Sequence, residues 1–200
     1  MSFSVSLAVS TLIVVCSKLF LNVDRSLSDV QVAHITPTPR IGGLAIFVSV
    51  LVSTFIFHLE NINWIVVASL PIFLIGVAED FHFKTTPTLR YVVGTFSAMI
   101  GIFLSGVVLS TIGLGWFDFL LSLPFTAYIF TIFCIVGLIN AVNLIDGMHG
   151  LASGISIIIG ISLFFVAESV DDVVFANLGV TLAAASCGLI VLNYPLGKIF

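Results

Sequence analysis

Long apolar runs alternate with short polar segments along the whole chain of 200 residues. About seven runs stand out, at roughly Phe3–Leu21, Gly42–Leu59, Trp64–Ala78, Leu89–Ser105, Pro124–Val142, Leu151–Val166 and Val173–Asn193. Each comes near the ~20 residues that cross a hydrocarbon core. Lipid offers backbone N–H and C=O groups no partner, so a spanning segment satisfies them as a helix or in a closed barrel. Barrel strands alternate apolar with polar residues, and these runs do not alternate. The pattern therefore predicts an all-α, polytopic integral membrane protein of about seven transmembrane helices, organised as a single helical domain over residues 1–200. The first run has no Lys or Arg before Lys18 and shows no small-residue cleavage site, so it reads as a retained helix and not as a signal peptide.

Charge orients these helices. Lys18, Arg25, Arg40, Lys84, Arg90 and Lys198 are the only cations, and each lies in, or about one turn from, one alternating set of loops. The other set carries Glu60, Asp118, Glu168, Asp171 and Asp172 and no Lys or Arg. Cytoplasmic loops are enriched in Lys and Arg, which places Asn22–Ile41, Glu79–Thr88, Asn143–Gly150 and Tyr194–Phe200 inside. The N-terminus, His58–Asn63, Gly106–Leu123 and Ala167–Asp172 are then outside, with Trp116 and Phe117 as interface aromatics.

Composition agrees. The chain is 60% hydrophobic and 8% charged, with a mean hydropathy of +1.29, where soluble domains carry about 25% charged residues. The net charge of −4 gives no basis for nucleic-acid binding. Cys16, Cys134 and Cys187 sit inside apolar runs and read as small core residues, neither disulfides nor metal ligands.

Four inside segments carry unusual chemistry. In His34–Gly43, Pro37 and Pro39 forbid a helix, while Gly42 and Gly43 open the next span with free N–H groups that suit phosphate. Arg40 adds a bidentate phosphate donor; the plainer reading is a loop that starts a helix. Glu79 and Asp80 close an apolar helix at the membrane surface. Adjacent carboxylates repel unless a cation such as Mg²⁺ neutralises them; the alternative is a solvated helix end with Lys84 and Arg90 as counter-ions. Asn140, Asn143 and Asp146 recur at three-residue spacing and share a face if the fifth helix continues that far. Gly147 and Gly150 then let backbone approach a ligand. Here the alternative is a pair of Asn residues bonding neighbouring helices. Asn193–Phe200 is a helix end, a Pro stop and Lys198, and says little alone.

In this order these motifs resemble the polyprenyl-phosphate N-acetylhexosamine-1-phosphate transferases, glycosyl transferase family 4, which include bacterial UDP-GlcNAc transferases and the phospho-MurNAc-pentapeptide translocase. The anchors are Pro-Thr-Pro-Arg-x-Gly-Gly at Pro37–Gly43, Glu79–Asp80, Asn-x-x-Asn-x-x-Asp-Gly at Asn140–Gly147 and Asn-Tyr-Pro-x-Gly-Lys-Ile-Phe at Asn193–Phe200. The resemblance implies transfer of a HexNAc-1-phosphate from a UDP-sugar to undecaprenyl phosphate, with release of UMP, at the cytoplasmic face of the bacterial inner membrane. It implies Mg²⁺, with Mn²⁺ as its substitute, held by Glu79, Asp80, Asn143 and Asp146. Glu79, Asp80 and Asp146 are the implied catalytic acids. Thr36, Thr38, Arg40, Gly42, Gly43, Lys84, Arg90, Asn140, Asn143, His149 and Lys198 are the implied substrate-binding set. The implied partners are the UDP-HexNAc, undecaprenyl phosphate and the bilayer, with a homodimer as the candidate assembly.

The chain departs from the family's pattern in three places. Glu79–Asp80 stands where Asp-Asp is usual, and Asp146-Gly-Met-His149-Gly stands where Asp-Gly-x-Asp-Gly is usual, which weakens His149 as a metal ligand. Both departures resemble the branch that makes O-antigen-type lipid-linked sugars. A Gly-Asp-x-Gly motif is also expected just after Lys-Ile-Phe, so the 200 residues read as the N-terminal part of a longer enzyme and are expected to be inactive alone. A peptidoglycan-type step stays open, as do a transporter and a membrane scaffold. A transporter predicts acids near the bilayer midplane, whereas these acids lie at one face.

Overall fold

The computed structural model of the protein describes residues 42–56, 63–80, 85–145 and 150–193, together with residues 4, 5, 8, 11, 12 and 15. The described residues form α1 (Gly42–Ile56), α2 (Asn63–Asp80), α3 (Pro87–Ser105), α4 (Gly115–Leu121), α5 (Pro124–Ile145), α6 (Leu151–Ser169) and α7 (Val173–Asn193), with no strand among them. Of these, 5 helices (α2, α3, α5, α6 and α7) are long and apolar enough to cross a membrane, and α1 is a shorter apolar helix. The protein is thus an all-helical, multi-pass membrane protein, as its hydropathy predicts. The first predicted span falls mostly outside the described residues; those described within it are helical.

Several helices run past their predicted ends. α2 continues beyond Ala78 through Glu79 and Asp80, α5 beyond Val142 through Asn143 to Ile145, and α6 beyond Val166 to Ser169. The apolar run marks where lipid contact ends, but backbone N–H to C=O bonding is indifferent to the polarity of the side chain and carries the helix further. The predicted outer loop Gly106–Leu123 also contains a helix, α4, whose short length gave no periodic signal.

The chain divides into two compact units, Asn63–Asn143 and Met1–Ile62 with Leu144–Phe200. In the first, α2 and α3 form an antiparallel hairpin. Gly94, Ser97, Ala98 and Ile102 are the buried residues of α3, at one-face helical spacing. Ser97 Oγ–H donates to the Ala68 carbonyl across the pair. A Cβ on Gly101 would lie 3.5 Å from that of Ala68, and one on Gly94 would lie 3.9 Å from both Ile72 of α2 and Val136 of α5. Gly94 therefore marks a layer where three helices meet.

Chain reversal is explicit at both ends of α3. Thr86 is its N-cap, accepting from Leu89 N–H at 3.2 Å, and Pro87 takes the first helical position, where its missing N–H costs nothing. Gly106, at φ 68°, ends it in the left-handed region and donates to Ile102 C=O at 2.8 Å. Beyond it, Leu109 N–H donates to Thr131 Oγ1 at 2.9 Å and Ile112 N–H to Asp118 Oδ1 at 2.7 Å. Phe117 of α4 meets Phe130 of α5 edge to face at 5.0 Å.

In the second unit α6 and α7 cross at glycine. A Cβ on Gly160 would lie 2.7 Å from Gly179 C=O, and one on Gly179 would lie 2.6 Å from Gly160 C=O. Small residues let helix backbones approach in lipid, where no hydrophobic force drives them together. Ala45 of α1 and Leu189 of α7 form a buried core flanked by Ile46 and Leu192. The Ala167–Asp172 turn holds Asp171 at φ 57°. Asp172 Oδ1 accepts from Val174 and Phe175 N–H at 3.1 Å each and caps α7.

Candidate active site

The acidic pair lies in the last turn of α2, and Arg90 in the first turn of α3. Arg90 Nη2 donates to both carboxylate oxygens of Glu79. Each charge is badly placed for its own helix. A carboxylate is disfavoured at a helix C-terminus and a cation at an N-terminus, where the aligned peptide dipoles leave like partial charge. The ion pair offsets both. Arg90 is also the better packed partner, its side chain 21% exposed against 44% for Glu79.

The three-helix layer fixes the height of this end. Glu79 lies about two turns beyond Ile72, and Asn143 about two turns beyond Val136, hence each ~10 Å above the layer. Arg90 lies about one turn from Gly94 on the antiparallel α3, toward the same end. Glu79, Arg90 and Asn143 are therefore brought to one end of this unit. Two whole turns also keep Glu79 and Asn143 on the faces of α2 and α5 that carry the layer contacts.

The other expected residues fare differently. Asp80 is half-buried, and Asn143 is exposed on α5. Asn140 turns its amide back on its own helix, donating to Val136 C=O at 2.8 Å. Gly42 and Gly43 do open α1, as expected; Gly42 is buried, and a Cβ on Gly43 would meet nothing within 4 Å among the described residues. Gly150 has a backbone role, capping α6 at φ 80°. Thr36, Thr38, Arg40, Lys84, Asp146, His149 and Lys198 lie outside the described residues. So does every cation used for topology except Arg90. Sequence reasoning missed Thr86, whose cap sets where α3 begins and hence where Arg90 stands; the Thr-Pro pair at its start is the signal that could have found it.

Among the described residues no group of three or more His, Cys, Asp or Glu gathers as a metal site. The donors at this end are carboxylate and amide oxygens. That chemistry fits Mg²⁺, which prefers oxygen and is usually held by one or two carboxylates together with substrate phosphates and water.

Residues 62–200 match the model of glycosyl transferase family 4. The chain belongs to that family. It is 29% identical over 165 residues to the probable undecaprenyl-phosphate N-acetylglucosaminyl 1-phosphate transferase of Bacillus subtilis (strain 168), a match covering 81% of this chain and 46% of that protein. It is 28% identical over 195 residues to the decaprenyl-phosphate N-acetylglucosaminephosphotransferase of Mycobacterium leprae (strain TN), covering 84% and 47%. It is 29% identical over 177 residues to the phospho-N-acetylmuramoyl-pentapeptide-transferase of Thermoanaerobacter sp. (strain X514), covering 82% and 55%. The chain spans about half the length of these curated relatives. No solved structure gives a significant match. The family 4 match includes the acidic pair, Arg90 and both Asn residues, while the Pro37–Gly43 segment precedes it.

Proposed function

We propose that this family 4 protein transfers a HexNAc-1-phosphate from a UDP-sugar to undecaprenyl phosphate at the cytoplasmic face of the bacterial inner membrane, starting a lipid-linked glycan. A phosphate oxygen of the lipid attacks the β-phosphorus of the UDP-sugar. The bond from that phosphorus to the bridging oxygen breaks, UMP leaves with the bridging oxygen, and a polyprenyl diphosphate sugar remains in the leaflet. The observation that carries the reading is the carboxylate pair in the last turn of a membrane-length helix, beside a guanidinium, in a member of this family. Such a site asks chiefly for charge placed where phosphoryl oxygens move. Mg²⁺ would neutralise the diphosphate and the leaving UMP. Asp80 and Asp146 would hold it, Asn143 would add an amide oxygen, and Arg40, Lys84 and Lys198 would meet phosphate oxygens.

The muramoyl-pentapeptide relative, as similar to this chain as the N-acetylglucosaminyl one, keeps a peptidoglycan-type donor as a second reading. The test uses the protein as its gene encodes it, in nanodiscs with Mg²⁺ and undecaprenyl phosphate. UDP-GlcNAc is expected to give UMP and a lipid-linked sugar in equal amounts, and EDTA is expected to stop both. UMP from UDP-MurNAc-pentapeptide alone would select the second reading. No UMP from either donor or from UDP-GalNAc would overturn the proposal.

A further inference from the structure

We propose that α4 lies in the interface of the leaflet opposite the acidic pair, with Trp116, Phe119 and Leu120 inserted among the lipid acyl chains. The segment between α3 and α5 is then a membrane anchor and not a loop in water. This goes beyond the transferase reading and does not depend on it. Position comes first. Ser105 ends α3 eleven residues beyond Gly94, and Pro124 opens α5 twelve residues before Val136. At 1.5 Å per residue both ends stand ~17 Å from the three-helix layer, on the side away from Glu79 and Arg90. The chain between them does not continue outward. Leu109 N–H donates to Thr131 Oγ1 at 2.9 Å, and Phe117 meets Phe130 at 5.0 Å. Phe130 and Thr131 lie about two turns along α5 from its start, ~10 Å back toward the layer. That is the depth at which amphipathic helices rest in a leaflet, at the boundary of headgroups and acyl chains.

The faces of α4 agree with that depth. Phe117 and Leu121 turn to the protein: Phe117 packs on Phe130, and Leu121 is 2% exposed. Trp116 and Phe119 are 73% and 75% exposed, with Leu120 and Leu123 exposed beside them. These four recur at the spacing of one helix face, an apolar stripe. Phe103 near the end of α3 and Phe125 at the start of α5 are exposed at the same end of two membrane-length helices, so lipid already covers the neighbouring surface.

The backbone is fitted to a place short of water. Lipid gives irregular backbone no partners, and here side chains provide them. Val107 N–H donates to Ser105 Oγ at 3.1 Å, Leu109 N–H to Thr131 Oγ1, and Ile112 N–H to Asp118 Oδ1 at 2.7 Å. Thr131 is buried, and its hydroxyl also donates to Ala127 C=O at 2.7 Å, so it serves the segment without leaving its own helix. Asp118 is the only charged residue between Ser105 and Pro124, and it lies off the apolar stripe. The stripe thus offers a partner no charge, while a Trp at the end of a span suits the headgroup boundary.

Quenching by brominated lipid locates Trp116. Trp64 is the only other tryptophan, so Trp64→Phe leaves Trp116 alone. The complete protein is placed in nanodiscs of phosphatidylcholine brominated either near the headgroup or near the chain ends. Shallow bromine is expected to cut Trp116 fluorescence at least about twofold, deep bromine less, and aqueous acrylamide little. The difference between the unaltered protein and Trp116→Phe gives the same quantity and decides the matter if Trp64→Phe fails to fold. Strong quenching by acrylamide with no effect of bromine would put α4 in water and overturn the proposal. Insensitivity to both quenchers would overturn it too, because protein, this chain's own or a second copy's, would then cover the stripe.

Discussion

Asp172, Asp118 and Glu79 are carboxylates with two different duties, and their neighbours assign them: the first two serve backbone N–H groups, and Glu79 pairs with Arg90. Asp172 accepts two backbone N–H groups at the start of α7, and Asp118 accepts one from Ile112. Both spend their charge on orphan donors, as capping residues do. Asp172→Ala is expected to cost about 1 kcal/mol of stability and leave transfer unchanged, read by thermal unfolding beside UMP release. Asp80 sits at a helix C-terminus, where the dipole disfavours a carboxylate. In the complete enzyme Asp80→Asn is expected to lower turnover by ~100-fold or more with expression little changed, in line with losing an electrostatic stabiliser. Activity within a few-fold of the unaltered enzyme would take Asp80 out of the mechanism.

Helices in this protein meet through small residues. α2 and α3 meet at Ala68, Gly94, Ser97 and Gly101, and α6 and α7 at Gly160, Gly179 and Ala183. The second crossing leaves no room for a side chain, since added Cβ atoms would strike backbone. Gly160→Val should therefore separate α6 from α7 and destabilise the fold by ~3 kcal/mol or more, at or beyond the upper end of ordinary overpacking. Gly137, exposed on α5 and with nothing within 4 Å of its Cβ position among the described residues, is the control. Gly137→Ala should be neutral or slightly stabilising, because Ala loses less entropy in a helix. Thermal unfolding of the two variants in one detergent compares them; equal midpoints would show that the glycine crossing is not tight.

At the scale of the molecule the expectation to test is sidedness. The cation distribution puts the Ala167–Asp172 turn outside and the α2–α3 turn inside. Asp171, in that outer turn, is exposed at φ 57°, so Asp171→Cys should present an accessible thiol. It should react with an impermeant thiol reagent in intact cells, and Lys84→Cys should react only after the membrane is opened. The reverse pattern would invert the topology and put the acidic pair on the side away from a cytoplasmic sugar nucleotide.

The sequence by itself determined the class, the number of long apolar helices over the second half of the chain and the membership of glycosyl transferase family 4. Hydropathy is a property of composition over a window, and lipid leaves a continuous apolar run one solution, the helix. It also singled out Glu79–Asp80 and Asn140–Asn143, since polar groups at the edge of so apolar a span stand out. Only the tertiary structure paired Glu79 with Arg90, turned the Asn140 amide back onto Val136 and carried α2 and α5 through their polar ends. The last two are settled within a single helix, whereas the Glu79–Arg90 pair depends on which helix lies beside which. Residues from two different helices become partners only when packing at Gly94 brings α2, α3 and α5 together, and no local pattern in the chain encodes that contact.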